Sequence, residues 1–315
     1  MAVHKFVPPI AFHPGETLSE KLKEMGMSVK EFAIRTSKPE KTIFAIINGS
    51  SSITSDMAVA FEIVTRIPAR FWLNKQRSYD EYMARTRREA IVEEAQKWVS
   101  YFPYDKMAEL DWVEPCEIEC DKVQALFNFF QVSTVKAWQD YYCNQQLKVA
   151  FSISLNSVKE PHAISAWLRQ GERQAELLSV GKFSERQLKL VIPQIKAIMT
   201  DRVSDSILKL QELCGSAGVK LFLTPCLPKA PIKGSTRWIN GTPCIQLADC
   251  LDWHDSFWFT FFHEVGHILL HGKKNVFLEN VECSSMEVNK EEEADAFAEQ
   301  CLKGNSILNA SAELA

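Results

Sequence analysis

Apolar residues recur three and four positions apart through the first quarter of the chain, and polar punctuation cuts the pattern into short lengths. Between Gly15 and Gln76 the pattern predicts five short helices. The first carries Leu18, Leu22 and Met25 on one face and stops at Gly26. Ser28-Val29-Lys30-Glu31 reads as a capping box, the serine hydroxyl and the glutamate side chain each satisfying a backbone donor. The second helix then runs to about Arg35, with Phe32 and Ala33 facing inward. After a tight break at Thr36-Ser37-Lys38, Pro39 suits the first position of a third helix. Ile43, Ile46 and Ile47 are its buried face, and Gly49 closes it. Two short helices joined by a tight turn, the second preorganised by proline, fit a helix-turn-helix. On periodicity alone a small helical bundle with no ligand fits as well.

From Glu81 to about Leu213 the pattern stays helical, without internal repeats, low-complexity tracts or a glycine-rich phosphate loop. Phe102-Pro103 and Glu114-Pro115 punctuate a boundary near 100–117. Beyond it Phe127, Phe129, Phe130, Trp138 and Trp167 read as core aromatics of packed helices. Arg85 to Arg88 read as a solvated helix face that could also touch phosphates. At Gly218 the period changes from helix to strand. Val219–Leu223 is a buried strand, and residues 236–239 and 244–247 flank Asn240-Gly241, a strong hairpin signal. The second hairpin strand leads into a helix from about Asp255, a good N-cap, to Leu270. Phe257, Trp258, Phe259, Phe261 and Phe262 make that helix apolar nearly all round, so burial is expected.

Within it lies His263-Glu264-Val265-Gly266-His267. Histidines four residues apart share one helix face and can grip one zinc ion. Glu264 between them can take a proton from a metal-activated water. Burying two imidazoles and a carboxylate among phenylalanines is costly unless something compensates, and Zn2+ would do so. Hydrogen-bonded core histidines are the plainer alternative. A catalytic zinc site holds three protein ligands and an open position. His271 lies eight residues beyond His263 and drifts about 80° round an ideal helix, so the C-terminus of the helix is its expected station. Residues 291–298 offer Glu291 as third ligand, with Glu293 the next choice of register. Asp295, one turn after Glu291, can bond the free nitrogen of a ligating histidine. Arg237 and His254 are candidate electrophilic helpers. The hairpin offers an edge on which an extended peptide could pair.

Charge sharpens the division. Through Arg88 there are 14 basic against 9 acidic residues, a balance of +5; with a net −4 overall, the remainder carries −4 − 5 = −9. A basic head on an acidic body points to nucleic acid at one end only. No apolar run approaches the roughly 18 residues of a membrane helix, and the first residues lack the layout of a signal peptide. The 9 cysteines show no paired spacing, so free thiols in a reducing cytoplasm are expected.

Two resemblances organise these readings. His13-Pro14-Gly15-Glu16, Gly26-Met27-Ser28, Ile46-Ile47-Asn48-Gly49, Ile53-Thr54, Phe71-Trp72-Leu73-Asn74 and Tyr79-Asp80 resemble the HigA-type branch of the XRE helix-turn-helix regulators. That resemblance implies a lambda-repressor-like all-α head over 12–82 that binds double-stranded operator DNA. Lys38, Glu40, Lys41 and Phe44 would then face bases or phosphates. Phe44 and Ser50-Ser51-Ser52 depart from the small polar and basic residues common there, and hydroxyls release no counterions, so either a homodimer is needed or DNA binding is partly lost. The second resemblance rests on Phe257–Phe262 leading into HEVGH, on Ile268-Leu269-Leu270-His271-Gly272, on Ala294-Asp295-Ala296-Phe297-Ala298, and on Ala166–Glu172 upstream. These segments are similar to the ImmA/IrrE family of zinc metallopeptidases. The resemblance implies a multidomain chain: the head, a helical linker over 83–117, and an α+β zincin-like, gluzincin-type domain over 118–315. That domain divides into a helical part, about 118–213, and a hairpin and HExxH part, about 214–303. It also implies cleavage of a partner regulator, and it implies that the chain stops short of the family's usual end. A HigA-like antitoxin and autorepressor, whose zinc domain is structural or sensory, is the alternative.

Overall fold

The computed structural model describes residues 11–145, 160–200, 203–272, 277–278 and 285–312. The chain divides into two compact units at Glu93/Glu94.

Among the described residues, five helices build the first unit: α1 (Pro14–Glu24), α2 (Val29–Arg35), α3 (Glu40–Ile47), α4 (Ser55–Thr65) and α5 (Ala69–Glu94). Leu18, Phe32, Ile43, Ile46, Phe61 and Trp72 are its buried centre, with Ile47 only partly buried beside them. Local chemistry sets each helix end. His13 Nδ1 accepts from the Gly15 amide at the start of α1, and its ring stands edge-on to Tyr79. Ser28 Oγ accepts from the Glu31 amide, the serine half of the capping box. The Glu31 carboxylate instead meets Arg35 at 2.6 Å, one turn on. Pro39 sits one position earlier than expected, at the N-cap of α3. Gln76 on α5 accepts from the Ile53 amide and donates to Asp80, tying the last helix back to the loop before α4.

The second unit begins with α6 (Gln96–Val99), α7 (Tyr104–Glu109), α8 (Glu119–Phe130) and α9 (Val135–Trp138), the last continuing as a wide π-turn to Gln145. Trp98, Phe102, Phe127, Phe130, Trp138 and Tyr142 gather into one aromatic cluster. Next come α10 (Pro161–Leu177), α11 (Glu185–Ala197) and α12 (Val203–Ser216). The sheet follows, with β1 (Lys220–Thr224), β2 (Gly234–Ile239) and β3 (Thr242–Ala248). After it lie α13 (Trp258–Gly266), the two-residue β4 (Phe277–Leu278) and α14 (Ser285–Ala312).

The strand order is β1-β3-β2-β4; β1 runs parallel to β3, and the other pairs are antiparallel. Asn240 and Gly241 both take positive φ, as the tight hairpin turn requires. β4 pairs with Ser235 and Thr236 of β2. The hairpin edge expected to receive a peptide is therefore occupied there, and the strand on that side is β4. Cysteine usage also differs from expectation. Cys226 and Cys250 form a disulfide that ties the loop after β1 to the residues after β3. Their separation of 24 residues gave no local spacing to read.

Alternation along the strands creates two faces. Leu221, Ile245 and Leu247 pack with α11, α12, α13 and α14 in the main core. The opposite face carries a buried polar network against α10. Arg237 donates to the Leu168 carbonyl at 2.8 Å, to Gln246 at 3.0 Å and to Glu172 at 3.2 Å. Gln246 in turn donates to the Trp167 carbonyl and to Thr224. Arg169 closes the network through Glu172 and the Phe129 carbonyl. Among the described residues no helix is long and apolar enough to cross a membrane.

Gly171 makes this closeness possible: a Cβ there would come to 2.0 Å from Gln246 Oε1 and 2.3 Å from its Cδ. Gly171→Ala should push Gln246 aside and leave Arg237 and the Trp167 carbonyl short of buried partners. A loss of about 2–3 kcal/mol is expected in urea unfolding. An unchanged midpoint would show that the network tolerates the displacement.

Candidate metal centre

The helix that carries the histidines starts earlier than the sequence suggests and is not a uniform α-helix. Wide π-turns at Trp253–Phe257 and His267–His271 flank the α-helical Trp258–Gly266. The Phe257 amide bonds the Asp252 carbonyl at 2.8 Å, so Asp252 opens the helix and Asp255 lies inside its first turn. Trp258, Phe261, Phe262 and Val265 are buried in the main core, which fixes the opposite side of the helix toward α14. Gly266 lets the two helices approach. A Cβ there would lie 3.3 Å from the Ala294 Cα and from Phe297.

That approach brings Glu291 to the histidines. His263 Nε2 and His267 Nε2 are 2.9 Å apart. Glu291 reaches both, with Oε2 at 3.1 Å from His263 Nε2 and Oε1 at 3.6 Å from His267 Nε2. All three donor atoms lie within 4.8 Å of one another. Asp295 Oδ1 lies 2.8 Å from His263 Nδ1. A carboxylate only accepts, so His263 carries its proton on Nδ1 and presents the Nε2 lone pair to the centre. Glu264, His263 and His267 are 0%, 2% and 0% exposed. Of the two acidic registers considered, Glu291 meets the ligand face, while Glu293 bonds His271 at 2.9 Å.

Electrostatics favour the same donor set. Burial is the main force pushing His267 down to about 4, against the pull of Glu291, so the ring is neutral near pH 7. Burial works to raise Glu291, but the adjoining His263 and His267 rings outweigh it and hold the carboxyl at about 2. The His263 and His267 rings and the Glu291 carboxylate thus aim their donor atoms at one point. Such convergence is unfavourable by itself and favourable around a divalent transition ion. The residues present fit a metal.

The other sequence candidates fall elsewhere. Arg237 is committed to the polar network on the far face of the sheet, so it does not assist the centre. The His254 side chain lies outside the described residues. His271 lies in the last turn of the helix, as expected, and its Nδ1 also lies 3.0 Å from His267 Nδ1. The repeat His263, His267, His271 at intervals of four was the available signal for that contact. A second donor group, Cys226, Asp249 and Cys250, has its two sulfurs bonded to each other. In the first unit Glu40, Lys41 and Phe44 are exposed on α3, and Lys38 is half-buried just before it.

Comparison with known proteins gives separate matches to different parts of the chain. Residues 214–314 match the IrrE N-terminal-like domain, Peptidase_M78. Virulence-associated protein I of Dichelobacter nodosus is 35% identical over 82 residues, 26% of this chain and 76% of that protein. The HTH-type transcriptional regulator YddM of Escherichia coli is 29% identical over 66 residues, 21% of this chain and 70% of its own length. Among solved structures, an addiction module antidote protein of the HigA family from Coxiella burnetii is 33% identical, covering 28% of this chain and 90% of that one, with a TM-score of 0.23. In its head the chain is related to Virulence-associated protein I and similar to HigA-type helix-turn-helix regulators, and residues 214–314 match the IrrE N-terminal-like domain, Peptidase_M78.

Proposed function

We propose that this chain is a cytoplasmic, DNA-binding transcriptional regulator whose second unit is a zinc-dependent peptidase acting on a partner regulator. The observation that carries the enzymatic half is the convergence of His263, His267 and Glu291 beside a buried Glu264. These three side chains would hold Zn2+, and Asp295 orients His263 through Nδ1. Zinc, when bound, would polarise the scissile carbonyl and make water acidic enough to attack near neutral pH. Glu264 accepts the proton of the attacking water on its carboxylate and returns it to the departing amide nitrogen. Burial of Glu264 removes it from bulk water, which strengthens its interaction with any charge beside it.

For the head, α3 lies in the major groove of operator DNA. Lys38 and Lys41 contact phosphates, and Glu40 and Phe44 lie near base edges. A homodimer supplies two such helices, which compensates for the few basic residues on each.

The complete burial of Glu264 and His267 also supports a second reading. In it the chain is a HigA-like antitoxin and autorepressor whose zinc is structural or sensory.

Elemental analysis should find about one zinc per chain, and chelation should lower the melting temperature of the wild type but not of His263→Ala. At a free zinc concentration of 100 Kd the metal contributes about 2.7 kcal/mol. Equal melting with and without chelator would remove the metal from the account. Glu264→Gln should keep its zinc and lose cleavage of the partner by roughly 10²–10⁴-fold. Cleavage at the wild-type rate would leave the antitoxin reading. Lys41→Ala should weaken operator binding and reduce its salt slope by about 1; an unchanged slope would place α3 away from the phosphates.

A further inference from the structure

The wide turn that ends the histidine helix carries a side chain the zinc reading does not use. His271 is almost fully enclosed, with 4% of its side chain exposed. It touches a ligand on one side and an acid on the other. Its Nδ1 is 3.0 Å from His267 Nδ1, and its Nε2 is 2.9 Å from Glu293 Oε2. We propose that His271 and Glu293 form a relay that positions His267 for metal binding by fixing its tautomer and ring orientation.

The direction of each hydrogen bond follows from one fixed end. The Glu293 carboxylate can only accept, so His271 Nε2 carries a proton. In a neutral ring His271 Nδ1 is then a lone pair. Facing His267 Nδ1 at 3.0 Å, it accepts a proton held there. His267 is left with a lone pair on Nε2, the nitrogen 2.9 Å from His263 Nε2 and 3.6 Å from Glu291. The opposite polarity would put a proton on His267 Nε2 and block it as a ligand. The two ligating histidines are therefore held differently: His263 directly by Asp295, and His267 through an intervening ring. Both acids stand on α14, so the helix that supplies Glu291 also orients its two partners.

His271 and Glu293 are positioning residues and touch no substrate. The inference rests on the zinc reading, and the experiment separates the two. Zinc affinity is measured by competition with a chromophoric chelator for the full-length wild type, His263→Ala, His271→Phe, His271→Asn and Glu293→Ala. His271→Phe keeps the ring volume and removes both nitrogens; a 10–100-fold loss of affinity is expected. His271→Asn retains an oxygen that can accept from His267 Nδ1 and should recover part of that loss. Glu293→Ala should weaken affinity less than His271→Phe does. Long-range 1H–15N spectra of the zinc-loaded wild type should show His267 with its proton on Nδ1, a readout that does not depend on any variant folding.

Wild-type affinity in His271→Phe, or His267 protonated on Nε2, overturns the relay while leaving the zinc site intact. Wild-type protein that binds no more zinc than His263→Ala refutes the zinc reading and the relay with it.

Discussion

The packing of α14 against the histidine helix is the constraint on which the second unit depends. Ionisable groups are being placed on a helix whose other sides are phenylalanine and tryptophan, so they cannot turn to water. Their compensation must come from one neighbouring surface. Gly266 and Ala294 let that surface come close enough for carboxylates on α14 to reach imidazoles. Ala298 is buried one turn further along, continuing the small-residue face. Glu291, Glu293 and Asp295 then divide the imidazole nitrogens among them. The interface is both the core of the unit and the wall of its candidate metal centre.

The sheet supports this arrangement from behind. Its inner face shares a core with the histidine helix, and Thr236 donates to the Glu264 carbonyl at 3.0 Å. Its outer face is held by charged and amide groups buried against α10. Such a network is stabilising only when every member is satisfied, and it specifies one register of strand against helix. A shift of one residue would exchange Arg237 with the residues that face the metal side. The Cys226–Cys250 disulfide adds a covalent tie close to the start of the histidine helix.

The first unit solves a simpler problem with local means. Its first four helices are short, their starts are capped by a nearby side chain or set by proline, and Phe32, Phe61 and Trp72 fill its middle. Few long-range polar contacts are needed; the Gln76 bond to Ile53 is one. Several of its basic residues lie on the surface in ion pairs with acids three or four positions away.

The starts of the first helices in the head, the Asn240-Gly241 hairpin and the pairing of Asp295 with a ligating histidine were legible in the sequence. Each depends on spacing along one element or on the handedness of a turn. The donor set was legible as residue types, but its register was open between Glu291 and Glu293. Periodicity places both acids on one helix without saying how that helix rolls against its neighbour. The Cys226–Cys250 bond, the commitment of Arg237 to the far face and the presence of β4 beside β2 were hidden, because each joins segments distant in sequence. What the sequence determined by itself was the chemistry available on each element. Which of those groups meet was decided only by the tertiary packing, because the distances that matter are set by how closely two helices and a sheet can approach.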